Sequence, residues 1–301
     1  MAPSRKIVEE ECMDSSKIVW VVGKHGMLAR AFAQFFQEKD IKFIATGKDE
    51  VDITCSARVE KFLNVNPVGL VINCAAYTHV DGAEKERAKA KCLNSDAPTN
   101  LSKILKKRGI NFIHFSTDFV FNGFKEGGFT EEDETRAQGE YGKTKLQGDF
   151  GVLRENPEAL IVRVSWLYGP GENHFVGKIL KKLQNGENLT VVDDHQGSLT
   201  LASDVVQAVW KIQEQKGIIH FSGRGVSSWY DVARFIASKT YPELIERVKP
   251  IKYASLGILT PRPFFSYLNC SKYEKISGEK IASWQDTLSK FLEERPRCVQ
   301  R

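Results

Sequence analysis

The order in which short apolar runs and amphipathic stretches alternate is the strongest constraint on how this chain can fold. The run Ile18-Val19-Trp20-Val21-Val22 stops at Gly23, and residues 27–39 then carry Leu28, Phe32, Phe35 and Phe36 at helical spacing. That reads as strand, tight turn and helix. The order recurs, with strands predicted over 42–46, 69–73 and 111–116 and helices over 57–66 and 97–108. Such alternation predicts an α/β fold built on a doubly wound parallel sheet of the Rossmann type. Runs such as Leu70-Val71-Ile72 suit strands covered by helices on both faces.

A helix from Tyr141 to about Arg154 and a strand over 159–164 continue the sheet, preceded by a glycine-bearing loop over 122–139. That loop is long enough to be functional. Beyond Trp166 the pattern loosens: helices are predicted over 175–184, 202–213 and 228–238, and strands over 189–192 and 218–221. The expected organisation is a nucleotide-fold domain over 17–165 and a smaller, mainly separate α/β domain over 166–301, some of whose segments return to the sheet. Residues 1–16 mix Arg5 and Lys6 with Glu9, Glu10, Glu11 and Asp14, without the apolar stretch of a secretory signal, and read as a flexible extension.

Composition narrows the class. In 301 residues, 42% hydrophobic and 27% charged content is that of a soluble globular protein. No apolar run approaches the roughly 18 residues that would span a bilayer, so no membrane partner is expected. Six scattered cysteines without a C-x-x-C pair fit reduced thiols in the cytoplasm. The net charge of +5 is mild, and the lysine clusters at 103–108 and 178–182 read as solvated helix faces rather than a nucleic-acid surface. The six histidines have no metal-ligand spacing, and no metal is expected.

Gly23-Lys24-His25-Gly26-Met27-Leu28-Ala29 occupies the first strand-to-helix turn, where a dinucleotide-binding fold places its glycines. Gly23 permits the turn, Gly26 allows backbone to approach a pyrophosphate, and the free N–H groups of the helix start attract that anion. Ala29 stands in place of the third glycine. Asp52, beside Ile53, is a candidate acceptor for an adenine amino group, with a solvated loop aspartate as the alternative. The small residues Ala75 and Ala76 of Asn73-Cys74-Ala75-Ala76-Tyr77 would let backbone lie against a flat cofactor, with tight helix–sheet packing as the other reading. After the second strand, Thr46-Gly47-Lys48 offers a cation and no acid, which favours NADPH over NADH.

Tyr141 and Lys145 stand four positions apart at a helix start, on one face. A cation about 4 Å from the phenol would favour its anion by roughly 4 kcal/mol at an effective dielectric of 20, at most about three pH units. Ser116-Thr117-Asp118 ends the fourth strand, at the carboxyl edge where such sheets bind ligands, so Thr117 could face a carbonyl or cap a turn.

With these pieces in place, the chain resembles the dTDP-4-dehydrorhamnose reductases, a branch of the extended short-chain dehydrogenases, from about Lys17 to Leu288. The likeness rests on Asn73-Cys74-Ala75-Ala76-Tyr77-Thr78-His79-Val80-Asp81, Ser116-Thr117-Asp118-Phe119-Val120-Phe121-Asn122-Gly123, Tyr141-Gly142-Lys143-Thr144-Lys145-Leu146 and Arg163-Val164-Ser165-Trp166-Leu167-Tyr168-Gly169. Shorter matches are Val192-Asp193-Asp194-His195-Gln196-Gly197, Ser228-Trp229-Tyr230 and Arg262-Pro263 with Ser266 and Leu268. The resemblance implies that Tyr141 is the proton donor, Lys145 its electrostatic partner and ribose ligand, and Thr117 the group that tunes the carbonyl. It further implies sugar contacts from Val80, Asp118 and Trp166, and cofactor contacts along Gly23, His25, Gly26, Met27, Leu28, Asp52, Ile53, Ala75, Ala76, Tyr77 and Thr78.

The implied reaction is NAD(P)H-dependent reduction of the C4 ketone of a dTDP-linked 4-keto-6-deoxyhexose. Departures from the family pattern are Ala29, the proline-free loop Ala137-Gln138-Gly139-Glu140, and Asp149 where glutamate is common; none removes a reacting group. Another nucleotide-sugar reductase remains an alternative. So does a non-catalytic role, because the regulatory subunit of methionine adenosyltransferase resembles the same family and keeps Tyr-x-x-x-Lys. Self-association as a homodimer is left open.

Overall fold

A computed structural model describes residues 17–258 and 260–294; the extension expected over 1–16 lies outside the described residues. The elements are β1 (Ile18–Val22), α1 (Met27–Glu38), β2 (Phe43–Thr46), α2 (Ser56–Val65), β3 (Val68–Asn73), α3 (Val80–Lys85), α4 (Arg87–Lys91), α5 (Ala97–Arg108), β4 (Asn111–Thr117), α6 (Glu140–Glu155) and β5 (Leu160–Val164). There follow β6 (Leu167–Tyr168), α7 (Phe175–Gln184), β7 (Leu189–Val192), β8 (Gln196–Gly197), β9 (Thr200–Leu201), α8 (Ala202–Lys211) and β10 (Gly217–Phe221). The chain continues through β11 (Ser227–Ser228), α9 (Trp229–Thr240), β12 (Val248–Ile251), α10 (Ser271–Ser277) and α11 (Trp284–Glu294).

Six strands form one sheet in the order β10-β5-β4-β3-β1-β2, every pair parallel. The order reverses at β1, which opens a crevice above the carboxyl ends of β1 and β3, where ligands bind in sheets of this type. Both faces are covered. On one, Phe32 and Phe36 of α1 and Val205, Val206 and Val209 of α8 pack on Val19, Val21, Leu70, Ile72 and Ile113. On the other, Val59 and Leu63 of α2, Leu101 and Leu105 of α5 and Val152 of α6 pack on Trp20, Val71, Phe112 and Ile161. Burial on both sides is why these strands read as unbroken apolar runs.

A separate apolar cluster joins Tyr168, Val176, Leu183, Leu189, Val232, Ile236, Val248, Trp284 and Leu288. It holds α7, α9 and α11 around the short parallel pair of β7 and β12. Segments of the second half also return to the first: β10 pairs with β5, and α8 covers α1.

Between β3 and β4 the chain forms α3, α4 and a π-helical turn over Cys92–Asp96 before α5. Periodicity predicts only the last of these. The stretch 80–91 carries just Val80, Ala83, Ala88 and Ala90 as small apolar residues, too sparse for a visible stripe.

Candidate active site

At the end of β1, Gly23 has φ +88°, and a Cβ there would lie 2.9 Å from the backbone nitrogen of Ala75. Only glycine fits this close approach of the first turn to the end of β3. Gly26 caps α1 with no side-chain hydrogen bond, and the first turn of α1 carries no acid. The leading N–H groups of α1 are thus available to an anion. Ala29 is fully buried against the sheet, so its methyl is accommodated where the usual third glycine would sit. This cradle fits the pyrophosphate of a dinucleotide.

The other predicted cofactor residues divide. His25 is exposed and lies over Gly47; Met27 approaches Gly169. Leu28 and Ile53 turn their side chains into the core, leaving only backbone for a ligand. Asp52 Oδ1 accepts from the N–H and hydroxyl of Thr54, at 3.0 and 2.7 Å, which ties it into a local turn. Ala75 and Ala76 are half-buried at the crevice and Thr78 is exposed. Tyr77 has its polar groups engaged internally: its N–H and carbonyl bond to Asn94, and its hydroxyl donates to Glu86 at 2.5 Å.

An acid near the end of β2 escaped the sequence reading. Glu50 reaches back to accept from the Gly47 N–H at 2.7 Å and pairs with Lys24. These two donors hold its carboxyl below the usual range, Lys24 contributing most. Spacing alone hides this, because the residue lies four positions beyond the strand.

Thr117 ends β4 and Tyr141 opens α6, and their hydroxyls face each other. Thr117 Oγ1 also accepts from Phe119 N–H at 3.2 Å and donates to Asp118 Oδ1 at 3.1 Å. The ring of Phe119 meets Tyr141 edge-on at 5.5 Å. Asp118 is 2% exposed, and its Oδ2 has no hydrogen-bond partner. Burial pushes its carboxyl up to about 7, against opposing hydrogen bonds from Ser266 and Thr117.

The Tyr141 phenol differs from the expectation of a cation-lowered group. Burial, with Asp118 and Asp149 nearby, pushes it up to about 12, and the Thr117 hydrogen bond only partly opposes this. Lys145 is buried on the same helix, but its Nζ donates to the Phe115 carbonyl at 2.5 Å and lies 3.2 Å from His114 Nε2. Helical spacing puts two residues on one face; it does not choose where a four-carbon side chain ends. Burial lowers Lys145 to about 8, with Asp149 opposing. Asp149 pairs in turn with buried Arg163 at 3.1 Å.

Trp166 follows β5, whose last residue Val164 is in register with Thr117, so it stands at the same sheet edge. Its φ of +41° is rare for a bulky side chain. The indole stacks on Trp229 at 3.6 Å and lies against Gly197, where a Cβ would collide with the ring. Val80 is half-buried at the start of α3. Over this edge runs the segment 260–268: Ser266 beside Asp118, Pro261 against Gly139, and Arg262 bonded to Asp81 at 2.8 Å. Among the described residues no His, Cys, Asp or Glu cluster has a metal-holding arrangement, and no helix is long and apolar enough to cross a membrane.

A dinucleotide cradle at the reversal of a parallel sheet, with a hydroxyl pair and a Tyr-x-x-x-Lys helix at the neighbouring strand end, defines an extended short-chain dehydrogenase/reductase. The family profile described as RmlD substrate binding domain matches residues 17–296. A dTDP-4-dehydrorhamnose reductase of Sinorhizobium fredii is 33% identical over 285 residues, 90% of this chain and 95% of that protein. The chain belongs to the dTDP-4-dehydrorhamnose reductase family. Among solved structures, the dTDP-4-dehydrorhamnose reductase of Clostridium acetobutylicum superposes with a TM-score of 0.86 at 33% identity, covering 91% of this chain and 98% of the other. That of Bacillus anthracis, in complex with NADP, has a TM-score of 0.88 at 29% identity, covering 93% and 100%.

Proposed function

We propose that this protein reduces the C4 ketone of dTDP-4-dehydro-L-rhamnose to dTDP-L-rhamnose, using NADPH, with NADH as the alternative donor. The observation that carries the reading is the Thr117–Tyr141 hydroxyl pair at the carboxyl edge of the sheet, Thr117 buried and Tyr141 half-buried, next to the Gly23–Gly26 cradle. The chemistry a nicotinamide supplies there is hydride delivery to the carbonyl carbon. The first turn of α1 holds the pyrophosphate by its N–H groups, and Ala75 and Ala76 leave room for a flat ring.

Tyr141 is the acid. A phenol near 12 is fully protonated at neutral pH, so Oη carries a proton to give to the C4 oxygen as that oxygen gains charge. Thr117 orients Oη and, by turning its one proton from Asp118 to Oη, supports the phenolate that remains. Lys145, once turned from the Phe115 carbonyl, supplies the ribose contact and the positive charge that the phenolate needs. Asp118, Val80 and Trp166 bind the sugar, and residues 166–301 form mainly the substrate side. The four described cysteines Cys55, Cys74, Cys92 and Cys270 are free, in keeping with a cytoplasmic enzyme.

The test is addition of dTDP-4-dehydro-L-rhamnose to purified protein with NADPH. The expected result is stoichiometric NADPH oxidation with dTDP-L-rhamnose as product. Turnover only with another nucleotide keto-sugar would reassign the substrate; no turnover with either nicotinamide across a panel of such sugars would point to the regulatory class.

A further inference from the structure

Beneath the site lie two buried polar side chains that the reaction above does not use, Asn73 at the end of β3 and His114 in β4, each 1% exposed and neighbours in register. His114 sits between two nitrogens: Asn73 Nδ2 is 3.1 Å from its Nδ1, and Lys145 Nζ is 3.2 Å from its Nε2. One donor orients the whole chain. The Ala75 backbone N–H can only donate, and it reaches Asn73 Oδ1 at 3.1 Å. The Asn73 amide nitrogen therefore turns to His114 and donates into the Nδ1 lone pair. A neutral imidazole that accepts at Nδ1 carries its proton on Nε2, aimed at Lys145 Nζ. The lone pair of a neutral amine satisfies that proton, whereas an ammonium has no lone pair and opposes it.

We propose that His114 is a positioning residue that lowers the proton affinity of Lys145 and links its protonation, through Asn73, to the Ala75 backbone amide at the cofactor crevice. When Nζ takes a proton from solvent, Nε2 must become an acceptor, so the imidazole gives up its Nε2 proton and gains one at Nδ1. Asn73 then has to present its oxygen to Nδ1–H, and the Ala75 N–H is released to bond elsewhere. The Nε2 proton returns to solvent as solvent protonates Nδ1, so the imidazole keeps its charge and the net gain is the one solvent proton on Nζ.

The charges around this chain agree. Lys145 is faced by His114 from β4 and by Asp149 on its own helix, with Arg163 of β5 behind Asp149; Tyr141, one turn earlier on the helix, and Asp118 beside it are the other titratable groups nearby. Burial, with the Lys145 cation beside it, holds His114 well below the ordinary imidazole range, which keeps it neutral and makes its tautomer the variable. The linkage belongs to the free protein; only its consequence for cofactor binding rests on the function proposed above.

The test follows the Lys145 Cε chemical shift against pH in cofactor-free protein carrying isotope-labelled lysine, with Lys145→Met to assign the signal. His114→Gln puts an acceptor oxygen within reach of Nζ and is expected to raise the Lys145 midpoint by about one pH unit, tenfold in proton affinity. His114→Phe removes the opposing N–H and is expected to raise it by less. An unchanged midpoint in folded His114→Gln, or a fall in folded His114→Phe, overturns the proposal, since a fall would mean that Nε2 had been accepting from an ammonium. Circular dichroism identifies the folded variants, and His114→Gln decides if His114→Phe does not fold. In a second arm, NADPH affinity is expected to weaken as pH rises through the Lys145 midpoint and to follow it in the variants. If the titration shifts while the affinity does not follow, the role of Lys145 at the cofactor is refuted and the linkage stands.

Discussion

Tyr141 and Asp118 show how burial sets the chemistry of single groups. Tyr141→Phe deletes the transferable proton and little else, so kcat should fall by about a hundred- to ten-thousandfold with NADPH affinity retained. Single-turnover kinetics and a binding titration check this, and wild-type turnover in the variant would place the acid elsewhere. Asp118 carries a stability cost with a definite sign. Its folded value, about 7, lies above the ordinary 3.8, so the native state binds the proton more tightly than the unfolded chain does. Its contribution is most favourable below 3.8 and is lost as pH rises to about 7. Asp118→Asn is expected to be more stable than wild type at pH ~8, on the order of a few kcal/mol, with the difference vanishing near pH ~4. Urea unfolding at both pH values reads it, and an equal difference at both would mean that the charge is not the cause.

At the scale of elements, helix α6 carries glycines that a helix considered alone would not favour. A Cβ on Gly142 would collide with the Phe119 carbonyl, and one on Gly148 with the Asn94 carbonyl of the π-helical turn. These glycines let α6 lie close to the end of β4, which brings Tyr141 to Thr117. Asn94, fully buried, fastens the same contact by bonding the Tyr77 backbone and the Thr144 hydroxyl. Gly148→Ala sets two effects against each other: about 1 kcal/mol gained in helix propensity and roughly 1–3 kcal/mol lost to overpacking against backbone that cannot give way. The clash should win, so urea unfolding is expected at lower denaturant, with kcat reduced because α6 moves as a unit. A stabilised, fully active variant would show that α6 has slack against the turn.

Across the whole molecule, the segment 260–268 ties the second half of the chain to the site through Arg262–Asp81 and Ser266–Asp118. The Arg262–Asp81 pair is partly exposed and should contribute no more than about 1 kcal/mol to stability. Arg262→Ala is therefore expected to leave Tm almost unchanged and NADPH affinity intact, while raising the substrate KM several-fold by loosening the segment; unequal loss of cofactor affinity would count against this. The parallel sheet and its glycine turn were legible in the sequence because strand burial on both faces and the φ requirement at Gly23 act locally and write themselves into consecutive residues. The order Thr117, Tyr141, Lys145 was legible for the same reason, with each residue at the end or start of a periodic element. What folding alone decided is where side chains finish: Lys145 at the Phe115 carbonyl rather than the phenol, Glu50 folded back on Gly47, Asn94 and His114 buried as polar links, and a distant segment laid over Asp118. Those outcomes depend on desolvation and on hydrogen bonds between residues far apart in the chain, and no pattern of neighbouring residues encodes such distances.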